Sequence, residues 1–210
     1  MLKMLLVGHK HDVYDRIVLI LKENSFQDFT LVQVENGQDA LEKLVAGFDF
    51  LLLDLEVSDT KTLAFVLHVR KNYPDLQLIT FSFNMEYAIV RRYLTSGVKG
   101  YCLLEHDNYQ EMIQAIRRTQ VGKVYISPVM LEYVASEALY SRKNDRLHTL
   151  DTQEFDILMH LRKGKSFEVI AAIFDVHIST ISFHKSRILD KLRISSISEF
   201  ENILKVECVL

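Results

Sequence analysis

Cysteine is almost missing from the 210 residues: only Cys102 and Cys208 occur. They are too few and too isolated for a disulfide framework or a zinc site, which fits a reducing cytosol. Glycine (7) and proline (2) are also scarce beside 49% hydrophobic residues, so there is ample material for a core and little for disorder. No segment approaches the roughly 18 consecutive apolar residues of a membrane span. The apolar start Met1 to Val7 is broken by Gly8-His9-Lys10-His11-Asp12, far short of a signal-peptide core. The expectation is a soluble, cytoplasmic protein that does not engage membranes. A general excess of positive charge is absent too. The net charge of −3 excludes a basic nucleic-acid coat but leaves room for a local basic face. No GxGxxG or GxxxxGK[ST] loop follows a strand-like run, which argues against nucleotide binding. His9 and His11, with no further His or Cys nearby in sequence, read as ordinary loop histidines. No metal or cofactor is expected.

What is present is an alternation of strand-like and helix-like patterns. The chain length suits one ordinary domain plus a small one. Phe50-Leu51-Leu52-Leu53-Asp54 is a run of large apolar residues ending in a lone carboxylate. Entered after Gly47, it reads as a strand buried on both faces, in the middle of a parallel sheet. Asp54 then sits at the carboxyl end of that strand, the edge where open α/β sheets bind ligands. Around it run Met4–Val7, Thr30–Val34, Leu76–Phe81 and Gly100–Leu104 as strands. Between and after them lie helices from Asp12 as cap, from Asn36-Gly37, over Leu63–Val69, Met85–Leu94 and Tyr109–Arg118. Tyr73-Pro74 closes the third of these helices, because proline disfavours helical geometry in the residue before it. Five βα units with short connections predict a doubly wound five-stranded parallel sheet covered by helices on both faces.

This layout, with an aspartate ending the third strand, resembles the receiver domain of bacterial response regulators. Leu94-Thr95-Ser96-Gly97-Val98-Lys99-Gly100-Tyr101 is similar to the family's "AGASGY" approach to strand five. Gly122-Lys123-Val124-Tyr125-Ile126-Ser127-Pro128 is similar to the "GGRYLSP" that leaves the receiver in the LuxR/NarL-type subgroup. The resemblance implies a phosphoacceptor at Asp54, with Ser82 at the hydroxyl switch position and Tyr101 at the aromatic one. It also implies Mg²⁺-dependent phosphoryl transfer helped by an acidic pair after strand one and a lysine after strand five. Mg²⁺ needs hard oxygen ligands, and phosphoryl transfer is largely positioning and charge neutralisation. Here the acidic-pair positions hold Gly8 and His9, and the lysine position holds Leu104, followed by Glu105. Asp54 is therefore expected to be silent, a carboxylate hydrogen-bonded to nearby backbone N–H groups, with protonated His9 able to act as a counter-charge. Asp12 reads as a helix cap in preference to a substitute metal ligand.

After residue 122 the pattern changes. Residues 123–148 read as a linker with one helix, started by Ser127-Pro128 and followed by the polar run Ser141 to Arg146. Residues 149–210 read as four short helices: Thr152–Arg162, Ser166–Phe174, Ser179–Leu192 and Ser198 to about Val206. The short turn Asp175-Val176-His177 lies between the second and third, as a helix-turn-helix requires. In order and spacing, Leu150-(3)-Glu154-(3)-Leu158, Gly164-Lys165-Ser166, Ile170-Ala171, Thr180 to Lys185 and Ile188 to Leu192 resemble the LuxR-type DNA-binding domain over its whole length.

The resemblance implies a third helix lying in the major groove. Ile181, Ile188 and Leu192 mark its buried face. The residues expected at bases or phosphates are Ser179, Thr180, Ser182, Phe183, Lys185, Ser186, Arg187 and Lys191. Lys185, Arg187, Lys191 and Arg193 against Asp190 make this helix locally positive, although residues 149–210 hold 8 Lys and Arg against 9 Asp and Glu. Ser182 stands where the family usually has Lys, and His177 where it usually has a capping Ser. The resulting expectation is a DNA-binding transcription regulator, not an enzyme, that binds double-stranded DNA as a homodimer. Its receiver is expected to work without phosphorylation, which puts a cognate histidine kinase in doubt. The competing readings are a phosphorylated regulator with an altered metal site, a protein–protein adaptor that has lost DNA binding, and a small ligand in place of phosphate.

Overall fold

Every residue of β3, Phe50–Asp54, is buried, and its side chains alternate between two apolar layers. Leu51 and Leu53 join Leu5, Val7 and Leu78 on one face, while Phe50 and Leu52 join Met4, Leu6 and Ile79 on the other. This double burial is what a continuous apolar run in a parallel sheet demands. The structure is a computed structural model and describes residues 1–9, 11–56, 61–84, 86–105, 108–140 and 146–201.

The strands are β1 Leu2–Val7, β2 Phe29–Val34, β3, β4 Gln77–Ser82, β5 Gly100–Leu103 and β6 Tyr125–Ile126. All neighbouring pairs are parallel, in the order β2-β1-β3-β4-β5-β6. Helices α1 His11–Glu23 and α5 Gln110–Gln120 serve one face; α2 Gly37–Leu44, α3 Thr62–Asn72 and α4 Tyr87–Leu94 serve the other. The strand order reverses between β1 and β3, so the carboxyl ends of these two strands form the crevice in which such sheets bind ligands.

Two expectations are corrected. The sheet has six strands, not five: Tyr125 and Ile126 pair with Gly100 and Tyr101. A two-residue strand carries too little periodicity to be read, so the sequence pattern assigns these residues to the linker. Asp12 is not the cap of α1, which begins at His11; it lies in the first turn, where a carboxylate suits the positive helix end. Asn36 does cap α2, its side chain accepting from Asp39 N–H at 2.9 Å.

After β6, α6 spans Pro128–Tyr140, and a 3-10 turn, Arg146–Thr149, leads into α7 Thr152–Arg162. The polar residues 141–145 lie outside the described residues. A capping box starts α7: Glu154 N–H donates to Asp151 at 2.8 Å, and Asp151 N–H donates to Glu154 Oε2 at 2.9 Å. Helix α8, Phe167–Phe174, is capped by Ser166 and stops at Asp175, which takes the left-handed conformation at φ 53°. Aspartate tolerates that region better than most residues.

Helix α9 spans Ile178–Leu192, starting one residue earlier than expected because the His177 ring accepts from Ser179 N–H at 3.2 Å and so occupies the cap. The chain bends by 102° between α8 and α9, within the range of a helix-turn-helix. Residues 197–201 are helical, and the rest of the expected last helix lies outside the described residues. Among the described residues no single helix is long and apolar enough to cross a membrane.

The two halves share one apolar layer. Val66, Tyr93 and Val98 of the α3–α4 side join Leu150, Phe155, Leu158, Ile181 and Ile188 in a single cluster. At the seam the Tyr93 and Phe155 rings meet edge to face, 5.8 Å apart.

Candidate functional site

Asp54 is 3% exposed and ends β3 beside Gly8, whose ideal Cβ would lie 3.4 Å from Asp54 Cβ. Where an acidic neighbour would stand there is thus only backbone. Asp54 Oδ1 accepts from Glu56 N–H at 2.8 Å, a bond that shapes the turn leaving the strand. Leu104, at the lysine position, is 2% exposed and packs in the α1–α5 layer. Ser82 and Tyr101, expected at the switch positions, are brought together at 2.8 Å. Ser82 Oγ donates its only hydrogen to Asn84 O at 2.8 Å, so the phenol is the donor of the pair. Burial raises the Tyr101 phenol well above its ordinary pKa.

Mg²⁺ does not fit this donor set. A hard dication needs several oxygen ligands, whereas Gly8 has no side chain and its carbonyl accepts from Gln33, Asp54 Oδ1 is engaged by Glu56 N–H, and the Glu56 carbonyl is engaged by an ammonium described below. Among the described residues no three His, Cys, Asp or Glu side chains group closely enough to hold a metal ion.

Helix α9 turns Ser179, Ser182, Phe183, Ser186 and Arg187 to solvent, while Thr180, Lys185 and Lys191 are half-buried. Phe183, at 60% exposed, is a large apolar side chain with no core role. Arg187 lies 5.7 Å over its ring, and Lys185 lies 5.3 Å over Phe167. Lys191 is drawn inward: its Nζ is 2.5 Å from Glu154 Oε2, and Arg187 is 3.3 Å from Oε1 of the same fully buried carboxylate. Part of the local positive charge expected on α9 is therefore spent holding α9 to α7.

A third group of residues joins the halves. Both Asp156 carboxylate oxygens accept from the start of α3, from Leu63 N–H at 2.8 Å and Ala64 N–H at 3.1 Å. Arg162 binds Glu86 at 2.6 Å and also pairs with Glu201. Lys163 Nζ donates to Glu56 O at 2.9 Å, and Arg92 donates to Leu150 O at 2.7 Å. Between these contacts lies a cavity of about 420 Å³ whose lining includes Ser82, Asn84, Tyr93, Arg162 and Lys163. Asp156 is pushed up to a pKa of about 6, chiefly by burial, with the two backbone bonds and the charges of Lys61 and Arg92 pulling the other way.

The sequence reading missed Asp156, Arg162, Lys163 and Glu86. Two signals for the first were present: a carboxylate inside the apolar stretch Phe155 to Leu158, and a helix α3 that begins after Lys61 without a Ser, Thr, Asp or Asn to cap it.

Comparison with known proteins agrees with this anatomy. Residues 148–202 match the family of bacterial regulatory proteins, luxR family. The response regulator protein VraR of Staphylococcus epidermidis is 28% identical over 160 residues, covering 76% of this chain and 75% of that protein. VraR of Staphylococcus saprophyticus is likewise 28% identical, over 161 residues and 76% of each chain. Among solved structures, the Salmonella typhimurium RcsB response regulator superposes with a TM-score of 0.76 at 19% identity, covering 98% of both chains. The structure of RcsB bound to promoter rprA, with a phosphomimetic present, gives a TM-score of 0.72 at 18% identity, over 98% of this chain and 99% of that one. The fold and the two sites define a receiver joined to a helix-turn-helix domain. Residues 148–202 belong to the luxR family of bacterial regulatory proteins, and the chain is similar over three quarters of its length to response regulators.

Proposed function

We propose that this protein is a transcription regulator that reads double-stranded DNA through α9 and whose receiver works without phosphorylation. The observation that carries the reading is the α9 surface: Ser179, Ser182, Phe183, Ser186 and Arg187 are solvent-facing while the domain that bears them is docked on the receiver. Ser179, Thr180, Ser182 and Phe183 supply the base-edge side, and Lys185, Ser186 and Arg187 the phosphate side. Lys191 serves indirectly, by fixing α9 to α7 through Glu154. Phosphate independence is supported by Gly8 and Leu104 at positions where a phosphoryl-transfer site needs metal ligands and a cation.

The working division is a receiver at residues 1–122, a linker at 123–148 and the DNA-reading domain at 149–210, with β6 carrying the sheet into the linker. We read the protein as a cytoplasmic regulator with no enzymatic activity. A structure of two RcsB dimers on two parallel DNAs supports a homodimer here as well, because pairing two weak half-site contacts multiplies affinity.

The test is genomic footprinting with wild type and Lys185→Ala, alongside intact-mass measurement after exposure to a small phosphodonor with Mg²⁺. Expected are footprints that Lys185→Ala weakens, and no mass gain. If the wild type enriches no site, an adaptor role replaces DNA reading; a phosphoryl group on Asp54 overturns the silent receiver.

A further inference from the structure

The contacts between the halves converge on one place, the segment from the end of β3 to the start of α3. Any cation near the end of β3 is drawn to its oxygens, the Asp54 carboxylate and the Glu56 carbonyl. Glu56 is held from both sides: its N–H donates to Asp54 Oδ1 at 2.8 Å, and its carbonyl accepts from Lys163 Nζ at 2.9 Å. One side of that clasp belongs to the receiver and the other to the helix-turn-helix domain. An ammonium from the far half of the chain thus reaches the segment after β3.

A second contact acts on the same segment. Lys61, the cap residue of α3, makes no side-chain capping bond. Asp156 supplies two acceptors to Leu63 and Ala64, the N2 and N3 amides that a cap would serve. Asp156 and Lys163 lie about two turns apart along α7 and so fall on one face. Arg162, between Glu86 and Glu201, fixes the end of α7 that presents Lys163. In this pose α9 stays open to solvent, so docking does not mask the DNA-reading surface.

We propose that the helix-turn-helix domain is the internal effector of the Asp54 site, with the Lys163 ammonium in the place a metal cation would take and Asp156 capping α3 across the interface. This rests on the reading of a receiver that works without phosphate. The position of the DNA-reading domain, rather than a phosphoryl group, then sets the shape of the segment after β3.

The test is amide hydrogen exchange on the full-length protein, read at Leu63 and Ala64. These amides are protected only when the other domain delivers Asp156, so they report docking at a distance from Asp54 and Lys163. Asp156→Ala gives the undocked reference. Asp54→Asn and Lys163→Met should each speed exchange there, by roughly three- to tenfold, and the double variant no more than the larger single effect, as for two groups acting through one contact. Amides of β1 and α9 should stay within about twofold, showing that both domains remain folded. Asp156→Asn, which keeps one acceptor, should fall between wild type and Asp156→Ala. The proposal is overturned if the two single variants leave Leu63 and Ala64 unchanged, if their effects add, or if wild type exchanges there as fast as Asp156→Ala. Intact mass on the same samples separates the two readings. A phosphoryl group on Asp54 with non-additive coupling retained overturns phosphate independence and supports the effector role.

Discussion

The Tyr101 phenol donates to the Ser82 hydroxyl across 2.8 Å of buried space, and Ser82 passes its own hydrogen to Asn84 O. The relay has a direction, so its two ends are unequal. Ser82→Ala leaves a fully buried phenol without its acceptor and should cost about 1–3 kcal/mol. Tyr101→Phe leaves Ser82 still donating and should cost about 1 kcal/mol. Urea unfolding of the two variants decides; equal losses, or the reverse order, would refute the assigned direction.

Asp156 predicts a pH dependence whose sign is opposite to the usual carboxylate case. Its pKa in the folded protein is about 6 against an ordinary 3.8, so the folded state binds the proton more tightly than the unfolded chain. This group's contribution therefore becomes more favourable as pH falls through 6 and levels off below about 4, while above 6 the buried charge is a constant cost. Relative to Asp156→Asn, wild type should gain about 1 kcal/mol between pH 7 and pH 5. The difference in unfolding free energy between the two proteins at each pH isolates this group from the other carboxylates.

Among the cations of α9, Lys191 and Lys185 should separate cleanly. Lys191→Met removes the 2.5 Å partner of the buried Glu154 and should destabilise the protein by about 1–3 kcal/mol. The slope of log affinity against log salt should hardly change. Lys185→Ala should change stability by less than about 1 kcal/mol and lower that slope by about one. Unfolding curves and DNA titrations at several salt concentrations check both halves of the claim.

Restoring the missing groups should restore chemistry. Gly8→Asp, His9→Asp and Leu104→Lys in one protein place carboxylates after β1 and an ammonium after β5. With Mg²⁺ and a small phosphodonor this variant should gain one phosphoryl group by intact mass, where wild type gains none. Leu104 is buried, so the triple variant should also lose stability, by about 2–4 kcal/mol. A triple variant that folds but takes up no phosphate would show that more than these positions has diverged.

Much of the fold is written in local patterns. The apolar run Phe50 to Asp54 and the spacing of Phe155, Ile157, Leu158 and Leu161 give β3 and α7 with the bounds expected of them. The face of α9 marked by Ile181, Ile188 and Leu192 is the buried one. Harder to read were features that depend on groups distant in sequence. Strand β6 has only Tyr125 and Ile126 to announce it, and their pairing depends on Gly100 and Tyr101. Asp156 meets Leu63 across 93 residues, and periodicity within either segment cannot reveal such a contact. The inward turn of Lys191 was hidden for the same reason, since its partner Glu154 looks in sequence like an ordinary capping-box glutamate.

The ring contact between Tyr93 and Phe155 has a consequence for how this protein is lost as well as how it works. With one apolar layer running from the sheet into the helical end, each half covers part of the other's interior, while the receiver's α1–α5 layer is its own. Heating should therefore give a single calorimetric transition in place of two, and a lesion at Phe155 should expose the receiver to proteolysis along with the DNA-reading end. In the cell, the dose of the regulator and the integrity of its sensor half would then rise and fall together.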